Sequence, residues 1–156
     1  MIADDELAAL VRPDSVNKRV YTDPAIFALE MERIYGRAWI YVGHDSQVPN
    51  TGDYHTTRLG DQDVVMVRAA DGAVKVLYNR CPHKGAKLVS EGDGCAGKFF
   101  RCPYHAWTFK LDGTHLGAPM RDAFEGTAYD PTNPAFSMAP VARVDSYRGF
   151  VFASQS

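Results

Sequence analysis

The chain has few cysteines, no long apolar run and no strong net charge, and each shortage excludes something. Its 156 residues include three cysteines, an odd number that argues against the disulfide framework of a secreted domain. No apolar stretch approaches the roughly 18 residues that span a membrane. The N-terminus, MIADDELAAL, is acidic where a secretory signal is basic, and a net charge of −2 argues against a nucleic-acid partner. The sequence therefore predicts a cytoplasmic protein that binds neither membrane nor nucleic acid.

The first part of the chain carries the helical patterns. A short helix is predicted up to Leu10. A second helix has Thr22 or Asp23 as its N-cap, Pro24 in its first turn and Gly36 just past its end. Its apolar side chains recur at helical spacing and are expected to pack against the rest of the protein; they are Phe27, Met31, Ile34 and Tyr35. Residues 1–37 are predicted to form an N-terminal helical arm.

From residue 38 onward the pattern changes to short strands separated by Gly and Asp. Hairpin turns are predicted at Asp71-Gly72 and Asp112-Gly113, and residues 119–137, which include three prolines, are predicted to form a long irregular connection. The predicted strands are Trp39–Val42, Asp53–Arg58, Val64–Arg68, Val74–Tyr78, Phe99–Arg101, Thr108–Leu111, Thr114–Leu116, Val141–Val144 and Phe150–Ala153. The predicted fold class is mainly β, with one antiparallel domain over residues 38–156.

One segment, CPHKGAKLVSEGDGCAGKFFRCPYH, holds all three cysteines and two of the five histidines. Cys81-x-His83 is followed, after eighteen residues, by Cys102-x-x-His105. Two thiolates and two imidazoles can bind zinc or an iron–sulfur cluster. Structural zinc sites usually take two sulfurs from one short loop, whereas each loop here offers one sulfur and one nitrogen. This division favours a dinuclear cluster with sulfur ligands on one iron and nitrogen ligands on the other, and a zinc site remains the alternative.

The segments CPHKGAKL and CPYHAWTFKLDG resemble the Rieske domain of the large (α) subunit of bacterial ring-hydroxylating oxygenases. The resemblance extends to DPAIFALEMERIYGRAWIYVGH, GDYHTTRLGDQDVVMVR and YRGFVFA, so it covers the chain from about Tyr21 onward. It implies an antiparallel Rieske-type β domain with a [2Fe–2S] cluster on its loops. By this resemblance Cys81 and Cys102 hold one iron, while His83 and His105 hold the other.

Two departures from the family pattern are Lys84, where arginine is common, and Ala106, where glycine is common. Ala86 and Tyr104 stand where high-potential respiratory Rieske proteins carry a disulfide between the two loops, and apolar side chains stand where those proteins direct hydroxyl groups at the sulfurs. Fewer donors to sulfur stabilise the reduced cluster less. The sequence therefore predicts a potential at the low end of the Rieske range, about −150 mV, which a redox titration measures.

The resemblance implies one-electron transfer from a ferredoxin or a flavin-dependent reductase to a mononuclear non-haem iron, for O₂-dependent aromatic hydroxylation. In the family that iron lies in a C-terminal catalytic domain, usually of a neighbouring α subunit, and the parent protein is expected to be trimeric or α₃β₃. Its signature, an acidic residue followed by x₂-H-x₄-H, needs two histidines five positions apart, and this sequence has no such pair. The chain is expected to lack the catalytic iron site, so no catalytic residue is assigned, and a parent dioxygenase is favoured over a monooxygenase.

The sequence leaves two alternatives open, a free-standing Rieske ferredoxin and a zinc-stabilised interaction module. The helical arm and the chain length argue against the ferredoxin. Basic residues concentrate around the paired loops, where they either dock an acidic electron donor or form a solvated face; they are Arg80, Lys84, Lys87, Lys98, Arg101 and Lys110. Trp107 is expected to be a packing residue more than an electron route. His44, His55 and His115 are interpreted as surface or core-edge histidines, and Cys95 as a small buried residue or a loop thiol.

Overall fold

The structure, a computed structural model, describes residues 2–90 and 92–156 and confirms a mainly antiparallel β-fold. Most strands lie within two residues of their predicted positions, and the last hairpin lies slightly later than predicted. The strands are β1 (Val11–Arg12), β2 (Ser15–Val16), β3 (Ile40–His44), β4 (Asp53–Leu59), β5 (Gln62–Arg68), β6 (Val74–Tyr78), β7 (Asp93–Cys95), β8 (Phe99–Arg101), β9 (Thr108–Lys110), β10 (His115–Gly117), β11 (Arg143–Tyr147) and β12 (Phe150–Ser154).

The N-terminal arm contains three short helices, α1 (Asp4–Ala9), α2 (Arg19–Thr22) and α3 (Pro24–Glu30). The carboxylate of Asp23 accepts a hydrogen bond from the backbone N–H of Ala25, which confirms one of the two predicted N-caps of α3. A π-helical turn (Met31–Tyr35) extends α3 and ends at Gly36 as predicted. The sequence analysis missed α2 and the small β1–β2 hairpin because neither has an apolar periodicity of its own.

The predicted packing of the arm's apolar stripe is wrong. Phe27 is 59% exposed and Ile34 is 52% exposed, whereas Ile26 is the buried side chain of α3. The spacing of apolar residues identifies a helix face but does not say which face the domain covers. Here the π-helical turn also changes the hydrogen-bond pattern, since the N–H of Gly36 bonds to the carbonyl of Met31, five residues back.

The β domain consists of three antiparallel sheets. Their strand orders are β6-β5-β4-β7, β11-β12-β3 and β10-β9-β8. Strand β5 separates two hydrophobic cores because its successive side chains point to opposite faces. Val65 and Val67 pack into the core beneath the paired loops, and Val64 and Met66 pack into the core beside β3 and β12. Burial on both faces explains the continuous apolar run of this strand.

Two hairpin turns and a long connection lie where the sequence predicted them. Gly72 and Gly113 adopt positive φ between paired strands, at Asp71-Gly72 and Asp112-Gly113. The connection from β10 to β11 contains two 3₁₀ turns (Arg121–Phe124 and Pro134–Phe136). Within residues 2–90 and 92–156, none of the helices has the length and apolar content that crossing a membrane requires. The division of the chain after residue 37 stays a prediction.

Candidate functional site

The two Cys-His loops have the same backbone conformation although their sequences differ. In the first loop the N–H of Cys81 donates to the carbonyl of Ala86 (2.8 Å), and the N–H of Gly85 donates to the carbonyl of Cys81 (2.9 Å). In the second loop Cys102 N–H donates to Trp107 (2.8 Å) and Ala106 N–H donates to Cys102 (3.0 Å). The fifth residue of each loop has a left-handed backbone, with φ of 74° at Gly85 and 56° at Ala106. Residues 81–86 and residues 102–107 therefore form the same type of turn.

The structure brings all four predicted ligands together in two pairs. Cys81 and Cys102 are each 2% exposed, and their thiols are in hydrogen-bonding contact. The imidazole rings of His83 and His105 are half-buried, with centroids 4.7 Å apart. One side of the site therefore presents two sulfurs from the core, and the other side presents two half-buried imidazole rings.

The donor atoms fit a metal cluster. The Nδ1 atom of His83 is buried and has no hydrogen-bond partner among the described residues, and coordination to a metal would satisfy it. Burial lowers the pKa of His83, and the nearby charges of His105 and Lys84 lower it further, so the neutral imidazole that metals bind is favoured. Burial raises the pKa of the Cys81 thiol to about 11, although the backbone N–H groups of His83 and Lys84 oppose this rise. A bound metal replaces the thiol proton.

The pairing of the donors is the one expected of a dinuclear cluster rather than of a single zinc ion. A structural zinc site needs four donors converging on one centre. Across the described ranges, no three His, Cys, Asp or Glu side chains form a group that could hold one metal ion. A two-iron cluster instead needs two protein donors at each iron, and the arrangement of two sulfurs and two nitrogens matches that requirement.

Asn79, which the sequence analysis missed, supports the first loop. Its side chain is buried; its carbonyl oxygen accepts from the N–H groups of Leu88 (3.0 Å) and Val89 (3.1 Å), and its amide donates to the carbonyl of Val89 (3.0 Å). These three bonds tie the end of β6 to the chain that leaves the loop. The available signal was an uncharged polar residue between a strand and a ligand motif, in YNRC.

Trp107 supports the second loop and also touches the first. Its ring stacks on His83 with centroids 4.7 Å apart and planes 5° apart. Its side chain is buried among further aromatic rings, which belong to His115, Phe124, Tyr129 and Phe136. The interpretation of Trp107 as a packing residue is consistent with this burial, and the structure adds that one of its packing partners is a predicted ligand.

The remaining histidines and the third cysteine lie outside the paired loops. His44 caps a 3₁₀ turn (Asp45–Gln47), and His55 pairs with Asp93 at 2.5 Å. His115 is 5% exposed, so its interpretation as a surface or core-edge residue is wrong. On β10 the polar His115 points inward while Leu116 is exposed, which reverses the usual alternation. Cys95 is a free, exposed thiol on β7.

The basic residues around the loops are mostly exposed. Lys84, next to His83, is exposed, whereas Lys87 is half-buried and forms an ion pair with Asp63 at 3.0 Å. The other members of the set are also exposed; they are Arg80, Lys98, Arg101 and Lys110. Tyr104 is exposed as well, and the centroid of its ring lies 3.8 Å from that of His105. The nitrogen side of the site is therefore reachable from solvent, and the positive charge of Lys84 lies beside it.

Comparison with known proteins finds relatives among dioxygenases and monooxygenases. The chain is 36% identical to biphenyl 2,3-dioxygenase subunit alpha of Rhodococcus jostii (strain RHA1), over 97% of this chain and 32% of that protein. Naphthalene 1,2-dioxygenase from Rhodococcus sp. matches all of this chain with a TM-score of 0.88 and 28% identity, over 36% of its own chain. A quaternary ammonium Rieske monooxygenase matches 89% of this chain with a TM-score of 0.79 and 40% identity, also over 36% of its own chain.

The chain therefore spans about a third of the length of these relatives. The predicted resemblance to oxygenase α subunits is confirmed by them, as is the antiparallel Rieske-type fold. A family profile, described as the Rieske [2Fe-2S] domain, matches residues 38–144, which include both Cys-His loops. From the paired loops, the fold and this match, we conclude that the chain belongs to the Rieske [2Fe–2S] domain family.

Proposed function

We propose that Cys81, His83, Cys102 and His105 hold a [2Fe–2S] cluster, with the two thiolates on one iron and the two imidazoles on the other. The observation that carries the proposal is the repeated backbone turn, which places two buried sulfurs together and two half-buried imidazoles together. The unpartnered Nδ1 atom of His83 supports it. When bound, such a cluster supplies reversible one-electron storage.

The residues of the chain then have distinct tasks in electron transfer. Cys81 and Cys102 keep the sulfur side in the core, where water is excluded. His83 and His105 keep the nitrogen side near the surface, where an electron can leave through an imidazole ring. Trp107 stacks on the ring of His83 and restricts its rotation. We expect electrons to enter or leave at the nitrogen side because it is the accessible side.

We also propose that residues 38–156 form the electron-transfer unit of an α subunit of a ring-hydroxylating oxygenase, preceded by the arm of residues 1–37. The biphenyl dioxygenase relative aligns over 97% of the chain and the naphthalene dioxygenase structure over all of it. These two matches include the arm and both are to dioxygenases, so we propose a dioxygenase as the parent protein. In that role the chain passes single electrons to a mononuclear iron of a catalytic domain, which residues 1–156 do not include.

The electron donor that we propose is an acidic ferredoxin or a flavin-dependent reductase. Lys84, whose charge acts on His83, and the exposed Arg101, next to Cys102 in the sequence, favour an acidic partner. Inter-subunit electron transfer is described for the quaternary ammonium monooxygenase, and we propose the same route here, to the catalytic domain of a neighbouring α subunit in a trimeric or α₃β₃ parent. The exposed Cys95 thiol, which forms no disulfide within the described residues, supports a reducing, cytoplasmic location.

Anaerobic reconstitution tests the cluster. We expect a reddish-brown protein with iron and acid-labile sulfide in equal amounts and a rhombic EPR signal after reduction with dithionite. A colourless protein that binds zinc in preference would contradict the proposal. Anaerobic reoxidation of the reduced chain by an α subunit that lacks its own cluster and holds its mononuclear iron in the ferric state tests the oxygenase role. Failure of that transfer alone favours a free-standing Rieske ferredoxin.

Charge reversal tests the donor surface. Lys84→Glu combined with Arg101→Glu is expected to slow cluster reduction by an acidic ferredoxin at low salt, with the difference shrinking at high salt. Lys18→Glu combined with Arg12→Glu, at two exposed basic residues of the arm, is the matched control because it changes the net charge by the same amount. Equal reduction rates for both proteins at low salt would remove the docking proposal. Lys87 is left unchanged because reversing it would also break its ion pair with Asp63.

A further inference from the structure

The long connection after β10 covers Trp107 with aromatic rings. We name residues 118–136 the cap segment. Phe124, Tyr129 and Phe136 are its half-buried aromatic residues, and each ring contacts Trp107, with centroids between 5.5 and 6.4 Å. The same rings contact one another, at 4.4 Å for Phe124 and Tyr129 and 5.3 Å for Tyr129 and Phe136. Trp107 is therefore held between His83 on one side and the cap segment on another.

The backbone of the cap segment is bonded mainly to itself. Its hydrogen bonds are local turns, such as Glu125 to Asp122, Thr127 to Phe124 and Phe136 to Asn133. Among the contacts of the described residues, one polar contact joins the cap segment to the rest of the domain: the hydroxyl of Tyr129 and the Nε2 atom of His115 are hydrogen-bonded at 2.8 Å. The chain is anchored again only at Ser137, whose hydroxyl accepts from the N–H of His115.

His115 is an unusual residue for its position. It is buried on β10, its ring packs on Trp107 at 4.8 Å, and its Nδ1 atom has no partner among the described residues. A leucine would fill such a place without burying an unpaired polar atom. The gain that offsets this burial is the Nε2 bond to Tyr129, which spans from the sheet to the cap segment.

We propose that His115 and Tyr129 form a latch that holds the cap segment on Trp107 and, through the stacked Trp107 ring, fixes the orientation of His83. Both are positioning residues, since neither touches the paired thiols. When the latch opens, the cap segment keeps only its aromatic contacts, the indole of Trp107 gains freedom and the His83 ring can rotate. The last step rests on the proposed role of His83 as a cluster ligand.

Tyr129→Phe tests the latch because it removes the hydroxyl and keeps the ring. We expect amide hydrogen exchange in residues 118–136 to rise roughly two- to tenfold, the ratio that loss of one hydrogen bond produces. We also expect the EPR g-values of the reduced cluster to shift and iron loss to a chelator to quicken. Tyr147→Phe, which makes the same change at an exposed tyrosine of β11, is the control and should change none of these.

The test is completed by His115→Leu alone and by a double variant that carries both His115→Leu and Tyr129→Phe. His115→Leu should also raise exchange in the cap segment. The double variant should raise exchange by less than the two single effects combined, because both substitutions remove the same bond. Unchanged exchange in Tyr129→Phe, or additive effects in the double variant, would overturn the latch. Raised exchange with an unchanged EPR spectrum would overturn its link to His83. If the wild-type chain assembles no cluster, the proposed function fails while the exchange measurement still decides the latch.

Discussion

Residues 81–86 and residues 102–107 form the same turn, yet different forces hold them in place. The first loop is backed by the buried side chain of Asn79, which makes three hydrogen bonds to Leu88 and Val89. The second loop is backed by Trp107, which packs against five other rings. Removing one polar atom breaks a hydrogen bond completely and leaves its partner unpaired. Packing energy is instead spread over many weak contacts, so losing one atom removes only a small part of it. The two loops share a backbone conformation, but substitutions of their supporting residues are therefore expected to lower the stability of the protein by different amounts.

The largest effect is expected where the loops are alike, at the sulfur ligands. Cys81→Ser and Cys102→Ser should each abolish the visible absorbance and EPR signal of the reconstituted cluster, since an alcohol replaces a thiolate that holds iron. Cys95→Ser, at the exposed free thiol, should leave both signals intact. A cluster that survives in either loop variant would contradict the equivalence of the two loops.

Trp107→Ala is the next largest expected effect. Removing a buried tryptophan leaves a cavity and should lower the free energy of unfolding by about 3–5 kcal/mol. Trp39, the other tryptophan, is 47% exposed, so Trp39→Ala is the matched control with a smaller expected loss. Urea unfolding monitored by far-UV circular dichroism measures both. Equal losses would show that aromatic packing does not support the second loop.

Asn79→Ala tests the polar support of the first loop. It leaves two N–H groups and one carbonyl without their partners, so we expect a loss of about 2–4 kcal/mol in the free energy of unfolding. Asn133→Ala removes a side-chain cap from the exposed 3₁₀ turn Pro134–Phe136 and should cost about 1 kcal/mol or less. The hydrogen-bond account of this loop is wrong if Asn79→Ala is as mild as that control.

The smallest effects are expected at the left-handed residues, in opposite directions. A Cβ at Gly85 would meet no neighbouring atom within 4 Å, so Gly85→Ala adds backbone strain alone and should destabilise by about 1 kcal/mol. Ala106→Gly relieves the same strain and should stabilise by about 0.5–1 kcal/mol. Each substitution should shift the melting temperature by a few degrees, which thermal unfolding measures. Shifts of the same sign would contradict the shared backbone.

Much of the fold was predictable because turn residues mark the strand ends. Asp71-Gly72 and Asp112-Gly113 defined two hairpins, and the predicted strand Val64–Arg68 lies within β5. The strand Asp93–Cys95 was missed because its sequence, DGC, lacks any alternation of apolar residues. The arm's stripe was misassigned because periodicity identifies a face without identifying what covers it.

The four candidate ligands were predictable for a different reason, namely that few residue types bind iron and their spacing is restrictive. Their supports were not predictable. Asn79 and Tyr129 are ordinary polar residues in the sequence, and their roles depend on contacts made nine to fourteen positions away along the chain. His115 lies in a strand whose alternation would bury Leu116 instead. Tertiary packing decides such positions, and sequence periodicity does not record it.

The most direct test of the account is pulsed EPR of the dithionite-reduced chain, prepared with isotope-labelled histidine. We predict hyperfine coupling to two imidazole nitrogens, which should disappear from the spectrum of a chain in which both His83 and His105 are replaced by cysteine. A reduced cluster without histidine coupling in the wild-type chain would contradict the assignment of two nitrogens to one iron and two sulfurs to the other.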